Sequence, residues 1–250
     1  MPKTIRGPSA KSLLKLTWEY PVYTAPKEDR AGQTVAAKQQ KALPREQALA
    51  FIAGKDPRPL LVLRECKTCN GTDDALLSRG NVDNERTFLL SRWFHCVKLP
   101  VDVLQPEHPF HNLFDSKDPE HMFIGTADGA LHLALESERS RVELWDTMMT
   151  VLKASYAAQA ESLVRKMEKT IDEFDRVDDR LDALEQEVDK ILETEGPDSR
   201  KLKKVKDELA AAQKQRDTLF RAIDQATAEL KLKKAETAKD QASAVAPKGS

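Results

Sequence analysis

Long hydrophobic runs are missing from this chain of 250 residues. A helix needs about 20 consecutive apolar residues to cross a bilayer, and no segment here comes close to that length. The first residues, MPKTIRGPSAKSLLKLTWEYP, begin basic but contain only a broken apolar segment and no small-residue cleavage pattern. We therefore expect no transmembrane segment, no export signal and a cytoplasmic location.

Cysteine and glycine are also scarce. Three cysteines are too few, and odd in number, for a disulfide-stabilised scaffold. Two of them form Cys66-Lys67-Thr68-Cys69, a spacing that indicates redox or metal chemistry in a chain without an export signal. Nine glycines and a charged fraction of 32% argue against one large packed core. The sequence therefore indicates a globular domain joined to a region of another kind.

The chain also has no excess of positive charge. The formal net charge is -1, and the lysines near the C-terminus are interleaved with acidic residues. Nucleic-acid binding needs a basic face, so we expect no nucleic-acid partner. After about Ser137 the sequence is instead rich in Ala, Glu, Lys, Leu, Asp and Arg, which is typical of long helices.

The middle of the chain alternates segments of helix and strand length. Arg45 to Ala53 has an apolar face and is followed by Gly54, which predicts a short helix with a glycine C-cap. The apolar run from Leu60 to Leu63 predicts a strand buried on both faces. Residues 83–90 predict a helix. Residues 93–99 predict a second strand, which should be parallel to the first because a helix separates the two.

A β-hairpin is predicted further along. Residues 121–126 and 130–135 flank Ala127-Asp128-Gly129, which contains an Asp-Gly turn signal. Before all these elements, the first 43 residues predict an extended lead-in that adds at most one edge strand.

The C-terminal part predicts a helical hairpin. From Ser140 to Glu195 there is no proline or glycine, and apolar residues recur at steps of three and four, which predicts one unusually long amphipathic helix. Gly196-Pro197-Asp198-Ser199 ends it, and a second helix follows with a heptad seam broken once, at Arg216. So short a connection predicts antiparallel helices, forming an arm of about 50 Å at about 1.5 Å per residue.

The dithiol lies where a predicted strand ends and a helical segment begins. The free N–H groups and partial positive charge of a helix N-terminus lower the pKa of a thiol. Cys66 is therefore the candidate nucleophile, and Cys69, one helical turn further on, would resolve the mixed disulfide. Glu65 and Lys67 flank Cys66 and are candidates for tuning its reactivity and for contacting substrate.

Three segments resemble the thioredoxin-like superfamily, in particular its bacterial thioredoxin-like domains: EQALAFIAGKDPRPLLVLRECKTC, FHCVKLPVD and DPEHMFIGTADGALHLAL. The resemblance covers residues 45 to about 135 and implies an α/β fold, a three-layer sandwich, with thiol–disulfide oxidoreductase activity. It also implies a cis-proline packed against the dithiol, for which Pro119 is the candidate. The sequence departs from the family at Glu65, where an aromatic residue is common, and at Leu60, where thioredoxins proper have a buried carboxylate.

These observations divide the chain into four parts: an extended segment at 1–43, a thioredoxin-like domain at 44–136, an antiparallel helical hairpin or coiled coil at 137–234, and a disordered tail at 235–250. The leading hypothesis is a thiol–disulfide oxidoreductase that uses Cys66 and Cys69 and needs no cofactor or metal. Its partners would be a protein thiol or disulfide substrate and an external reductant. The hairpin would bind a coiled-coil protein or a second copy of the chain.

Two alternatives stay open. In one, the thioredoxin-like domain is a redox-silent platform and the coiled coil organises an assembly. In the other, Cys66 and Cys69 bind zinc together with His95, Cys96, His108 or His111, which are suitable ligand types. Cys96 lies among alternating apolar residues, a pattern typical of a small buried side chain, and the two loop histidines are expected to be solvent-exposed.

Overall fold

The structure is a computed structural model that describes residues 5–24, 41–65, 84–114, 117, 119–135 and 140–233. Within these ranges the chain is a mixed α/β structure with a four-stranded sheet and a long pair of C-terminal helices. No helix in the described ranges is long and apolar enough to cross a membrane.

The described helices and strands follow one another along the chain in the order α1 Pro8–Leu13, α2 Arg45–Ala53, β1 Leu60–Arg64, α3 Glu85–Ser91, β2 His95–Leu99, β3 Met122–Gly125, β4 His132–Leu135, α4 Arg141–Ser155, α5 Ala160–Thr194 and α6 Arg200–Glu229. Two short 3₁₀ turns, Val101–Leu104 and His111–Leu113, lie between β2 and β3.

The sheet has the strand order β2-β1-β3-β4. β1 runs parallel to β2, whereas β3 is antiparallel to both β1 and β4. This confirms the predicted parallel pair and the predicted hairpin, whose turn places Gly129 at φ +76. Leu60 to Leu63 are all buried, as expected for a strand covered on both faces.

Hydrophobic side chains cover both faces of the sheet. Leu60 and Val62 pack on one face with the buried residues of α2, while Leu61, Leu63 and Cys96 pack on the other with α3, α4 and α5. The alternation follows from the period of two in a strand. The cluster on this second face continues along the α5–α6 pair as far as its outer end, so these helices share a core with the sheet.

The prediction of one continuous helix from Ser140 to Glu195 is wrong, because the chain breaks between α4 and α5. Tyr156 is extended, with φ -116 and ψ 149, and its hydroxyl donates to the carbonyl of Trp93 at 2.8 Å. It also forms an isolated antiparallel bridge with Leu232. These are contacts with distant residues, which explains why no local proline or glycine marks the break.

The N-terminal segment differs from the extended lead-in expected from its sequence. Helix α1 begins with Pro8, and Asp178 of α5 accepts hydrogen bonds from the backbone N–H and the hydroxyl of Ser9, at 2.9 and 2.7 Å. A Cβ added to Gly7 would lie 2.5 Å from a carboxylate oxygen of Asp178, so a larger residue would displace that side chain. Further along, Glu19 makes a single parallel bridge with Val97 at the edge of β2.

Helices α5 and α6 pair in antiparallel orientation. The rings of Phe174 and Phe220 have centroids 4.6 Å apart near the middle of the pair, and Lys166 reaches Glu229 at 3.9 Å near its base. Gly196, at φ +82, lies in the connection. Beyond Asp182, Leu184 and Ile191 are the only buried residues of α5. In this outer part of the hairpin, α5 therefore packs mainly against α6.

Candidate functional site

The predicted catalytic residues Cys66 and Cys69, together with Lys67, lie outside the described residues. The described chain reaches Glu65, the residue directly before Cys66. The candidate site is therefore built from the residues around the carboxyl end of β1. The prediction of a reactive dithiol stays a prediction.

Three backbone segments meet at the carboxyl end of β1. The N–H of Glu65 donates to the carbonyl of Leu99 at the end of β2, at 2.9 Å. On the other side, the N–H of Arg64 donates to the carbonyl of His121, just before β3, at 3.0 Å. The end of the buried strand is thus held on both sides.

Arg64 ties the segment before β3 to this strand end. Its Nε donates to the carbonyl of Glu120 and its Nη2 to the carbonyl of Pro119, both at 3.1 Å. Pro119 is thus hydrogen-bonded to the residue two positions before Cys66, on the β3 side of β1. Glu65 pairs instead on the β2 side, so no contact joins these two predicted binding residues in the described part of the chain. The peptide bond from Asp118 to Pro119 lies outside the described residues, and its predicted cis form stays a prediction.

Glu65 has a cationic partner that the sequence did not indicate. Its Oε1 lies 2.7 Å from Nζ of Lys98, and both side chains are half-buried. The negative charge of Glu65 beside Cys66 disfavours a thiolate there. The ion pair offsets that charge in part, although such partly exposed pairs are weak.

A second polar cluster supports the segment before β3. Nε2 of His132 lies 2.9 Å from Oε1 of the buried Glu120, and Nδ1 of His132 lies 2.9 Å from Nη2 of Arg45. An arginine can only donate, so Nδ1 accepts and Nε2 carries the hydrogen that is donated to Glu120. This arrangement fixes the orientation of the ring and links helix α2 to the segment before β3.

His121 is a further candidate that sequence reasoning missed. Its side chain is buried, and burial together with the nearby guanidinium of Arg64 lowers its pKa below the ordinary value. The imidazole is therefore neutral at pH 7, and its Nδ1 has no hydrogen-bond partner among the described residues. A neutral imidazole at the start of β3 is a potential proton acceptor. In the sequence, the position of His121 at the start of a predicted strand was the only indication of this role.

The residues of the zinc alternative do not form a cluster in the described part of the chain. No group of three or more potential metal ligands occurs there. Cys96 is buried in β2, as expected, whereas His108 and His111 are half-buried, so the expectation that both are solvent-exposed is wrong. Burial also lowers the pKa of His108, whose ring lies 5.5 Å from that of Phe110.

Cys96 is expected to be chemically inert in the folded protein. It is 5% exposed, and burial raises the pKa of its thiol to about 12. Because the thiolate is the reactive form, alkylation at neutral pH should be at least about 100-fold slower than for an exposed cysteine. Brief iodoacetamide labelling of the fully reduced protein, followed by peptide mass spectrometry, checks this. Rapid labelling of Cys96 without denaturant would contradict the burial, and labelling in guanidinium is the control.

No protein-family model, curated protein or solved structure significantly matches this chain.

Proposed function

We propose that this chain is a thioredoxin-like thiol–disulfide oxidoreductase that acts through Cys66 and Cys69. The observation that carries the proposal is the junction at the end of β1. There, a buried parallel strand leads directly into the dithiol, and Arg64 holds Pro119 against the same strand end. A βαβ unit followed by a hairpin is also the element order that the resemblance implies.

The proposed reaction proceeds in two exchanges. The thiolate of Cys66 attacks one sulfur of a substrate disulfide, the substrate S–S bond breaks, and the other sulfur leaves as a thiolate that takes up a proton. The thiolate of Cys69 then attacks the sulfur of Cys66 and releases the second substrate thiolate. Two electrons have passed from the dithiol to the substrate, and an external dithiol reductant restores the Cys66–Cys69 pair.

The residues around the strand end have supporting roles in this proposal. Lys98 lowers the electrostatic cost of forming a thiolate next to Glu65. Pro119 and Glu65, together with Lys67, would contact the substrate chain beside the disulfide. The neutral imidazole of His121 would serve as a proton acceptor for the resolving thiol, in place of the carboxylate that Leu60 replaces.

The reduction potential of the Cys66–Cys69 pair tests the proposal. Alkylation across a glutathione or dithiothreitol series should show one two-electron transition between roughly -270 and -120 mV. The pH dependence of alkylation should show one thiol with a pKa below about 7.5. A Cys96→Ala variant leaves only the two thiols of interest. The proposal fails if the pair never closes, or if both thiols have pKa values near about 8.5.

Self-association through the hairpin is a second candidate function. The distribution of charge at the outer end of the hairpin favours it. There α5 presents exposed acidic residues and α6 begins with an exposed basic run. The acidic positions are Asp182, Glu185, Glu187, Asp189 and Glu193, and the basic ones are Arg200, Lys201, Lys203, Lys204 and Lys206. A second hairpin in antiparallel orientation would place opposite charges against each other.

Removing one heptad from each helix tests this second function. Truncation after Gly196 is unsuitable, because Ile223 and Ala226 of α6 belong to the shared core. Deleting 186–192 together with 202–208 shortens both helices equally and keeps the connection. If the hairpin mediates self-association, light scattering should show an oligomer for the full chain and a monomer for the shortened one. Equal masses would exclude this role for the outer end.

A further inference from the structure

A cavity of about 550 Å³ opens at the amino end of β2, at the opposite end of the strands from Arg64 and Glu65. Its walls come from the N-terminal segment, the turn before β1, the end of α3 and the last turns of α6. Cavities of roughly 300–1,000 Å³ at the junction of several elements are typical of small-molecule sites.

Cationic groups outnumber anionic ones around this cavity. Lys15, Arg58 and Arg92 line it, as do the carboxylates of Asp56 and Glu19. Both carboxylates already have partners. Asp56 accepts from Nε and Nη2 of Arg58 at 2.6 to 3.0 Å, and Oε2 of Glu19 lies 2.7 Å from Nε2 of His95.

Two of the cationic groups keep donors for a ligand. Arg92 uses its Nε for the hydroxyl of Thr227, at 3.2 Å, and its Nη2 for Asp224, at 3.3 Å, but its Nη1 makes no hydrogen bond to any described residue. Lys15 is exposed and forms no hydrogen bond or ion pair within the described part of the chain. A guanidinium and an ammonium with free donors favour an anion, particularly a carboxylate or phosphate.

An apolar wall stands beside these donors. Trp18 is half-buried and Phe94 is buried, and both line the cavity. An inorganic ion would leave this aromatic surface in contact with water, whereas an apolar group attached to the anion would cover it.

We propose that this cavity binds a small organic anion that carries one phosphate or carboxylate group on an apolar body. The acidic group lies between Lys15 and Arg92, and the apolar body lies against Trp18. Because the walls come from residues far apart in sequence, the bound anion joins the N-terminal segment to α6. This site is independent of the dithiol and does not rest on the proposed redox function.

Binding of defined probes to the 250-residue chain tests the proposal. Titration calorimetry with phenyl phosphate and benzoate should show saturable binding of one molecule per chain for at least one of them, with a matching rise in melting temperature. Benzyl alcohol, which lacks the charge, and inorganic phosphate, which lacks the ring, should bind at least about tenfold more weakly than that probe. The relative affinities of phenyl phosphate and benzoate then identify the acidic group.

Charge-removing variants locate the binding. Lys15→Met and Arg92→Met should each weaken the bound probe at least about tenfold. Lys11→Met, an exposed lysine of α1 outside the cavity, should leave the affinity unchanged. Because Lys15 makes no described bond, its variant should melt at the same temperature as the unmodified protein without probe.

Three results would overturn the proposal. The first is no saturable binding of either anion at about 10 mM, the second is affinity that Lys15→Met does not alter, and the third is equal binding of benzyl alcohol.

Discussion

Replacing Cys66 by serine should reduce disulfide reduction to the uncatalysed background, because a serine hydroxyl is not a nucleophile toward disulfides at neutral pH. Replacing Cys69 by serine should leave the first exchange intact and block the second. The Cys69→Ser protein should therefore accumulate mixed disulfides with its substrate. Turnover of a small disulfide such as oxidised glutathione, and non-reducing electrophoresis for the trapped species, check both expectations.

A Cys96→Ala variant is the matched control for these two changes. Cys96 is buried in β2, and its thiol pKa is raised to about 12, so its removal should leave turnover unchanged. Undiminished turnover in both Cys66→Ser and Cys69→Ser would refute exchange through this pair. Loss of turnover in all three variants would instead indicate a general structural effect.

Replacing Arg6 by alanine should lower the free energy of unfolding by about 3–5 kcal/mol, because it leaves the buried carboxylate of Asp175 and the half-buried one of Glu85 without their cation. The Arg6 guanidinium forms two contacts with Glu85, at 2.6 and 2.7 Å, and one each with Asp172 and Asp175, both at 2.7 Å. Its side chain is 10% exposed and that of Asp175 is 3% exposed. These carboxylates raise the pKa of Arg6 still further, so the guanidinium is charged at any pH at which the protein is folded.

Urea unfolding followed by circular dichroism measures this loss. Arg176→Ala is the matched control, because Arg176 is exposed on α5 and makes no described ion pair, so the change should be within about 0.5 kcal/mol. Arg6→Met keeps much of the apolar stem and should be nearly as destabilising as Arg6→Ala, since charge removal dominates. A loss below about 1 kcal/mol for Arg6→Ala would show that the network contributes little to stability.

Elements with a strong local signal could be predicted from the sequence. Helix α2 has the predicted bounds because its apolar face ends at Gly54, which adopts φ +57. The sheet followed from one buried apolar run and an Asp-Gly turn. In contrast, the break at Tyr156 depends on Trp93 and Leu232, so no local pattern could reveal it.

The docking of the N-terminal segment could not be predicted for a related reason. Asp175 and Asp178 lie one turn apart on a helix rich in acidic residues, where carboxylates usually face solvent. They are buried because Gly7 and Ser9 supply hydrogen-bond donors from the other end of the chain. An acidic pair next to the apolar positions Phe174 and Val177 was the only signal in the sequence.

The sequence predicted the motif of the candidate site but not the contacts that surround it. Cys66-Lys67-Thr68-Cys69 is visible in the sequence, and so is Pro119. The parallel register that pairs Leu63 with Lys98 brings that lysine to Glu65, and register depends on the whole sheet. The hydrogen bonds of Arg64 could not be predicted either, because they depend on where the fold places the segment before β3.

Helix α1 is synthesised before its binding surface on α5, which follows more than 160 residues later, as the separations of 168 and 169 between hydrogen-bonded residues show. At about 5–20 residues per second, α1 therefore stays without its α5 partner for on the order of ten seconds during translation. Closing so long a loop also slows folding from the denatured state. The nascent chain thus exposes apolar surface near its N-terminus during synthesis, when chaperone binding and aggregation compete with folding.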